Sequence, residues 1–342
     1  MILPINRDVP IKTYLHHVYP LSVVLADKDY YTWLYNNYIQ LIYNEAGGIK
    51  LNFLTNTEFV TWENIVSYSI DKIMTDINNI DIIEFLKNSI NLGYYIQVDI
   101  DEFYLPNRKA YNSYNTNHEL FIYGYDDGKS FFYTSGYNGN MIFSFDEIKY
   151  ADFYNSFYNY KSLCYYKDSS IIVLFKLNSD YYLHTDIFLI SELIYDYLNS
   201  VDTSARFSYY RIPEKMLNGE PMDSDKIVFG LDVYEKIIKH TLTEADHDVR
   251  IYQILMEHKK VMHMRIKYIL NKYNITDKYN LCNDYGGIVY SAEIICNLIL
   301  KYNNNKDRNI LDRIADLLRT IMEKEKILLT VFYSIVESVK IF

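Results

Sequence analysis

His118 is the residue of this sequence whose type and position best suit chemistry. It follows the polar stretch Asn115-Thr116-Asn117 and opens a segment rich in β-branched and aromatic residues. Side chains alternate between the two faces of a strand, so this imidazole would share a face with Leu120 and Ile122. An imidazole titrates near neutral pH and can serve as a general base. A histidine that only forms a local hydrogen bond at the end of a strand is the alternative interpretation.

A catalytic base needs a nucleophile, and the chain offers few. Its three cysteines are Cys164, Cys282 and Cys296, and none of them precedes His118. Their wide spacing matches neither a disulfide framework nor a zinc site. Ser22, in the N-terminal helical region, is the candidate for a hydroxyl nucleophile beside His118. A serine hydroxyl requires a well-oriented base before it can attack.

Other polar residues carry weaker signals. Asp99 and Asp101 share one face of a predicted strand, which suits either acid–base chemistry or a solvated strand edge. His258 interrupts an apolar stripe on a predicted long helix, and it is either buried beside a carboxylate or facing a cleft. His16 and His17 are adjacent, but no further ligands follow at metal-binding spacing, and no glycine-rich phosphate loop occurs. We therefore predict neither a metal nor a cofactor.

The elements that position His118 are predicted to form an antiparallel meander. Strand-forming residues cover 94–100, 119–125, 131–135 and 141–145. Each gap between these segments contains a proline or a glycine that favours a turn, in Leu105-Pro106-Asn107, Asp126-Asp127-Gly128 and Asn138-Gly139-Asn140. A helix is predicted over 21–43, and a second begins at the capping box of Ser144 and Glu147 and runs to about Asn159.

These segments contain a longer motif. The residues Asp101-x-x-Tyr104-Leu105-Pro106, followed by His118-Glu119-x-x-Ile122-x-Gly124-Tyr125-Asp126-Asp127, resemble the butirosin BtrH-like N-terminal domain family. That family occurs in bacterial aminoglycoside and nonribosomal-peptide gene clusters, has a papain-like cysteine-peptidase fold, and includes an acyltransferase as its characterised type. The resemblance implies that His118 is the catalytic base. It also implies a nucleophilic cysteine at the start of an N-terminal helix and an orienting aspartate or asparagine on the return strand.

The chain departs from that family pattern in two places. No cysteine lies within 17–22, where the helix with the thiol is expected, and the return strand 132–138 contains no acid. Without a thiolate, cysteine-based acyl transfer is absent. Ser135 or Asn138 is then expected to orient the ring of His118. The residues that we expect to contact a substrate are Tyr19, Asp101, Tyr104 and His258.

The predicted fold class is α+β, with a papain-like core that contains an antiparallel sheet and a helical C-terminal domain. Residues 1–160 form the core, and 161–225 form a strand and helix extension followed by a linker that contains Pro213, Gly219 and Pro221. Residues 226–342 form the helical domain, in which apolar residues recur at helical spacing.

Composition excludes several functions. The net charge of −10 argues against a general nucleic-acid binder, which needs a basic surface. No signal peptide is visible and no apolar stretch approaches the length that a bilayer requires, so we predict a cytoplasmic protein without a membrane partner. The 38 tyrosines would suit a docking surface, although they also follow from a generally biased composition.

Three hypotheses for function remain. The first is a cysteine-less relative of the BtrH-like acyltransferases that binds an acyl or peptidyl group as an accessory protein of nonribosomal-peptide or related natural-product biosynthesis. The second is an active acyltransferase or amide hydrolase that uses Ser22 and His118. The third is a structural protein-interaction module. The expected partner is an acyl or peptidyl carrier protein or a synthetase, and a homodimer is the candidate assembly.

Overall fold

The structure, a computed structural model, describes residues 1–55, 62–71, 75, 79–159, 171–207, 226–244 and 247–340. The chain divides into two compact units, and both are discontinuous in sequence. Unit 1 comprises Met1–Lys28 and Glu58–Tyr182, and unit 2 comprises Asp29–Thr57 and Leu183–Phe342. The predicted domain boundaries near residues 160 and 225 lie outside the described residues.

Helices and antiparallel strands together give an α+β fold. Within the described ranges the helices are α1 (Leu15–Val24), α2 (Tyr31–Asn37), α3 (Ile82–Asn91), α4 (Tyr150–Tyr158), α5 (Ile187–Leu198), α6 (Thr203–Arg206), α7 (Val233–Thr243), α8 (Val249–Lys272), α9 (Leu281–Asn305) and α10 (Asn309–Val339). The strands are β1 (Gln40–Asn44), β2 (Leu51–Leu54), β3 (Ile65–Asp71), β4 (Tyr95–Asp101), β5 (Asn117–Asp126), β6 (Phe131–Tyr137), β7 (Phe143–Lys149), β8 (Ile171–Leu177) and β9 (Ile227–Phe229).

Unit 1 contains a six-stranded antiparallel sheet in the order β3-β8-β4-β5-β6-β7. The consecutive strands β4 to β7 form a meander, as the alternation of strand and turn residues predicts. A bulge interrupts the pairing of β5 with β6 between Ile122 and Gly124. Ile2 forms a bridge to Gly124 there, and a Cβ on Gly124 would lie 2.7 Å from the carbonyl oxygen of Met1. The absence of a side chain at Gly124 therefore allows the N-terminal segment to approach the sheet.

Aromatic rings pack the helices of unit 1 onto this sheet. The ring centroid of Tyr19 in α1 lies 5.2 Å from that of Phe121 in β5, and the two rings are stacked. Phe121 also stacks on Tyr95 of β4 at 6.0 Å. On α4, Phe153 meets Phe132 of β6 edge to face at 5.3 Å. All these side chains are buried, and aromatic pairs in these geometries add to the gain from burial itself.

The helix predicted from the capping box at Ser144 is wrong at its start. Residues Phe143–Lys149 form β7, in which Ser144 pairs with Gly136 of β6, and α4 begins only at Tyr150. The backbone of Phe143–Lys149 is hydrogen-bonded to β6, whereas a capping box would satisfy it only with neighbouring residues of a helix. Pairing with the neighbouring strand thus overrides the capping signal, while the helix ends next to Asn159 as predicted.

The single helix predicted over 21–43 is also wrong. Helix α1 begins earlier, at Leu15, and ends at Val24, and α2 is a separate short helix. Residues Gln40–Asn44 form β1, which pairs with β2 and with the distant strand β9. Every residue of β1 is buried, so its strand conformation depends on partners that the local periodicity does not reveal.

Unit 2 combines the three-stranded sheet β2-β1-β9 with the helices α8, α9 and α10. The predicted helical C-terminal region is therefore confirmed. In α8 the stripe residues Ile251, Leu255, Met262 and Ile266 are at most 1% exposed. Among the described residues, none of the helices has both the length and the apolar character needed to cross a membrane.

Candidate functional site

The register between β4 and β5 places His118 beside an acidic turn. Ile100 lies opposite His118 and Asp101 opposite Asn117, so the 3-10 turn Glu102–Tyr104 that follows β4 passes the imidazole. His118 Nδ1 lies 3.0 Å from Glu102 Oε1, and the side chain of His118 is 41% exposed. In the neutral ring Nδ1–H donates to this carboxylate, which leaves the lone pair of Nε2 able to accept a proton. This is the arrangement in which a carboxylate orients a general base.

Glu102 was not predicted as the partner of His118. The two predicted candidates have other environments. Ser135 lies opposite Phe121 in the sheet, and its buried Oγ has no hydrogen-bond partner among the described residues. Asn138 accepts hydrogen bonds from two backbone N–H groups of the β6–β7 turn, those of Asn140 at 3.0 Å and Ile142 at 3.1 Å. Glu102 therefore replaces Ser135 and Asn138 as the residue that orients His118. The register of β4 with β5 places the turn after β4 next to the ring, and Asn138 stabilises the β6–β7 turn instead.

Ser22 is placed unfavourably for a nucleophile. It lies near the end of α1, its side chain is 1% exposed, and its Oγ donates to the carbonyl oxygen of Val18 at 2.6 Å. A hydroxyl that bonds to the carbonyl one turn earlier is a common way for a helical serine to satisfy its polar group. This observation disfavours the predicted attack by Ser22, since the oxygen is buried and its proton is already donated.

Tyr19 connects α1 to the strands that carry the site. Its hydroxyl lies 3.1 Å from the carbonyl oxygen of Glu119 and 3.1 Å from that of Ser135, so it contacts both β5 and β6. The side chain is fully buried, and burial raises the pKa of its phenol well above the usual value. Tyr19 therefore stays a neutral donor that holds the helix on the sheet, and it is not exposed for the predicted contact with a substrate.

Asp101 shapes the turn that holds Glu102. It is 2% exposed, and its Oδ1 accepts hydrogen bonds from the backbone N–H of Phe103 at 3.0 Å and of Thr116 at 3.1 Å. Its other oxygen accepts from the amide of Asn115 at 2.6 Å. Asp101 thus fastens the turn after β4 to the loop before β5, and this positions both members of the His118–Glu102 pair. It is not free to contact a substrate as predicted.

Of the residues in unit 1 that were predicted to contact a substrate, Tyr104 is partly exposed, whereas Tyr19 and Asp101 are buried. It closes the 3-10 turn Glu102–Tyr104, and its ring meets that of Phe103 edge to face at 5.0 Å. Its position in the same turn as Glu102 keeps it a candidate for contact with a group bound near His118.

His258 belongs to unit 2 and is fully buried. Its Nε2 lies 2.7 Å from the carbonyl oxygen of Ile39, and its Nδ1 lies 3.1 Å from Nζ of Lys259. Nε2–H therefore donates to the carbonyl, and Nδ1 accepts from the ammonium. Burial and the adjacent Lys259 charge hold the pKa of His258 well below its usual value. The imidazole is a neutral bridge inside the unit, which agrees with the prediction of a buried histidine, although among the described residues its hydrogen-bond partners are a carbonyl and an ammonium rather than a carboxylate.

The buried Lys259 leads to a polar cluster that sequence reasoning missed. Its Nζ lies 2.7 Å from Glu325 Oε2, and neither side chain is exposed. The carboxylate of Glu325 also accepts hydrogen bonds from the hydroxyls of Tyr197, Tyr234 and Tyr285. Burial lowers the pKa of Lys259 to about 8, against the opposing effect of Glu325. We call Lys259, Glu325, the three tyrosines and His258 the buried polar cluster. Its members come from five helices, and this explains why no local motif predicts it.

Comparison with known proteins gives no family. No protein-family model matches the chain, and a search of curated proteins found no match. Within the described ranges, no group of three or more histidine, cysteine, aspartate or glutamate side chains is arranged to hold a metal ion.

Proposed function

We propose that this protein is a non-catalytic relative of the papain-like acyltransferases, which binds an acyl or peptidyl group as an accessory protein of natural-product assembly. One observation carries the proposal. His118 lies at the start of β5, 3.0 Å from Glu102 of the turn after β4, while helix α1 packs on β5 and β6 and contains no cysteine.

The arrangement of unit 1 supports this proposal. A papain-like site needs an N-terminal helix packed on an antiparallel sheet, a histidine that opens a strand, and a polar group that orients the ring. Helix α1 contacts β5 and β6 through Tyr19, His118 opens β5, and Glu102 supplies the polar group. With Nδ1–H donating to Glu102, the Nε2 of the partly exposed neutral ring can accept a hydrogen bond from an amide N–H of a bound acyl or peptidyl group.

The alternative of an active hydrolase or acyltransferase that uses Ser22 receives no support. The Ser22 hydroxyl is buried and donates to Val18, and nucleophilic attack requires an accessible oxygen within hydrogen-bond reach of the base. We therefore expect binding without a covalent intermediate.

The proposal is tested with an acyl carrier protein that bears a short acyl group on its phosphopantetheine thiol. Affinity for the full-length protein is measured by calorimetry, and the protein mass is followed over several hours. We expect reversible binding without a mass increase. His118→Ala and Glu102→Gln should weaken binding about tenfold, because the oriented ring is lost.

Glu147→Gln is the matched control, since Glu147 is an exposed carboxylate of β7 in the same sheet. This variant should bind the loaded carrier as tightly as the wild type does. A time-dependent acyl adduct would contradict the absence of catalysis. An affinity that is the same for the loaded and the unloaded carrier would contradict recognition of the acyl group.

A further inference from the structure

A groove opens in unit 2 at the first turns of α9. It has a volume of about 970 Å³ and is walled by residues of α8, α9 and α10. Small-molecule sites usually measure about 300–1,000 Å³, so the groove is large enough for a ligand. It is separate from the buried polar cluster, whose side chains are not exposed.

Two glycines keep this groove open. Gly286 and Gly287 both line it, within a helix in which glycine is otherwise unfavourable. A Cβ on Gly287 would have no other atom within 4 Å, and a Cβ on Gly286 would meet only His263, at 3.4 Å. The space over α9 is therefore a consequence of two missing side chains rather than of a distorted backbone.

The groove offers apolar surface to a ligand. Its walls include Ile327 and Leu328 of α10 and Tyr290 of α9. Ile327 is 65% exposed and Tyr290 is 66% exposed, so both offer apolar surface to a bound molecule. Exposed apolar side chains that converge on a concave surface are typical of a binding site.

The charged groups of the groove favour an anion. Lys267 of α8 and Lys324 of α10 line it, and neither forms an ion pair with any described residue. Asp284 is the one carboxylate in the lining, and its Oδ1 accepts from the amide of Asn280 at 3.1 Å. Among the lining residues two ammonium groups face one carboxylate, which leaves one positive charge in a protein whose net charge is −10. The carboxylate of Asp277 lies outside the lining and accepts a hydrogen bond from the backbone N–H of Cys282 at 2.9 Å. That excess complements a ligand with a single negative charge.

The remaining polar groups of the lining do not compete for the lysines. His263 Nε2 lies 2.7 Å from the carbonyl oxygen of Cys282, and burial lowers the pKa of this imidazole, so the ring is neutral and donates to the carbonyl. Burial raises the pKa of the Cys282 thiol, which therefore stays protonated. Neither group adds a negative charge that would occupy Lys267 or Lys324.

From this combination we infer that the groove binds an amphipathic monocarboxylate, with its carboxylate between Lys267 and Lys324 and its hydrocarbon chain on Ile327, Leu328 and Tyr290. The site lies in unit 2 and does not use His118, so it goes beyond the function proposed for unit 1.

The test measures binding of decanoate to the full-length protein by calorimetry, with decanol as the uncharged probe of equal length. We expect decanoate to bind at least tenfold more tightly than decanol, because only decanoate can pair with the lysines. Lys267→Ala and Lys324→Ala should each weaken decanoate binding about tenfold and leave decanol binding unchanged. Lys326→Ala is the matched control, since Lys326 is an exposed lysine of α10 outside the lining.

A second variant tests the location of the hydrocarbon chain. Gly287→Leu places a side chain in the groove from a position where the Cβ meets no other atom, so it should abolish binding of both probes while the circular dichroism spectrum stays that of the wild type. Equal affinity for decanoate and decanol, absence of decanoate binding, or an unchanged affinity in the double variant of Lys267 and Lys324 would overturn the inference. His118→Ala should leave decanoate binding unchanged, which separates this proposal from the function proposed for unit 1.

Discussion

At the residue scale, the chemistry of each histidine follows from its partner and its exposure. His118 is partly exposed and bonded to a carboxylate, which leaves Nε2 available. His258 is fully buried between a carbonyl and an ammonium, so both of its ring nitrogens are already in use. The sequence presents both as polar residues in apolar segments, and only their surroundings separate a candidate base from a structural bridge.

The ion pair of the buried polar cluster gives the first prediction. Glu325→Gln leaves the ammonium of Lys259 without a counter-charge in a fully buried position. Removing one partner of a buried pair is strongly destabilising, so we expect the free energy of unfolding to fall by about 3 kcal/mol. Urea unfolding at pH 7 measures it. Glu323→Gln, which changes an exposed carboxylate of the same helix, should stay within about 0.5 kcal/mol of the wild type. A similar loss in both variants would show that the pair has no special role.

The low pKa of His258 predicts a pH dependence of stability. In the folded protein burial and the nearby cations Lys259 and Arg265 keep the ring neutral, whereas in the unfolded chain it takes up a proton near pH 6.5. The unfolded state therefore binds more protons below that pH, and stability is lost as the pH falls. Between pH 7.5 and 5.5 we expect His258 to account for a loss of about 1.4 kcal/mol.

This dependence is measured by urea unfolding at the two pH values. His258→Gln should lose less stability on acidification than the wild type, by about the amount that His258 contributes. His184→Gln, at an exposed histidine of the same unit, should keep the wild-type dependence. Equal pH dependence in the wild type and in His258→Gln would contradict a neutral buried imidazole.

At the element scale, two glycines of unit 2 have opposite roles. Gly230 has φ = +55°, and a Cβ there would clash with the carbonyl oxygen of Tyr197 and lie 2.9 Å from its carbonyl carbon. Gly287 has neither restriction and lies within α9. The first position needs glycine for backbone geometry, while the second needs it only if the groove must stay open.

These roles predict opposite effects of the same substitution. Gly230→Ala should lower the free energy of unfolding by about 3 kcal/mol, because it combines a left-handed backbone with a steric clash. Gly287→Ala should raise it by about 1 kcal/mol, because alanine favours the helix and meets no neighbour. Urea unfolding of the two variants checks both signs. A destabilising Gly287→Ala would mean that the open space over α9 is not present in solution.

At the scale of the whole molecule, the discontinuity of the units is the main organising feature. Residues 29–57 precede most of unit 1 in sequence but belong to unit 2. They provide β1 and β2 and the carbonyl oxygens of Tyr35 and Tyr38, which accept hydrogen bonds from the fully buried guanidinium of Arg265 at 2.7 and 2.6 Å. Unit 2 is therefore incomplete without this early segment.

That incompleteness can be tested by truncation. A fragment of residues 183–342 should lose cooperative thermal unfolding, because Arg265 would keep a buried charge without its carbonyl partners and β9 would lack β1. Joining residues 29–57 to this fragment through a glycine–serine linker should restore cooperativity. Circular dichroism against temperature measures both proteins. A fragment 183–342 that melts cooperatively by itself would contradict the assignment of 29–57 to unit 2.

Sequence alone determined the features that depend on neighbours along the chain. The meander around His118 and the amphipathic helices α8 and α10 follow from periodicity and turn residues, which act over a few positions. Only the tertiary structure decided that Gln40–Asn44 is a strand, that Glu102 is the partner of His118, and that Lys259 pairs with Glu325. Strand pairing, burial and ion pairing join residues that are far apart in sequence. A local sequence pattern therefore does not show which distant residue each one contacts.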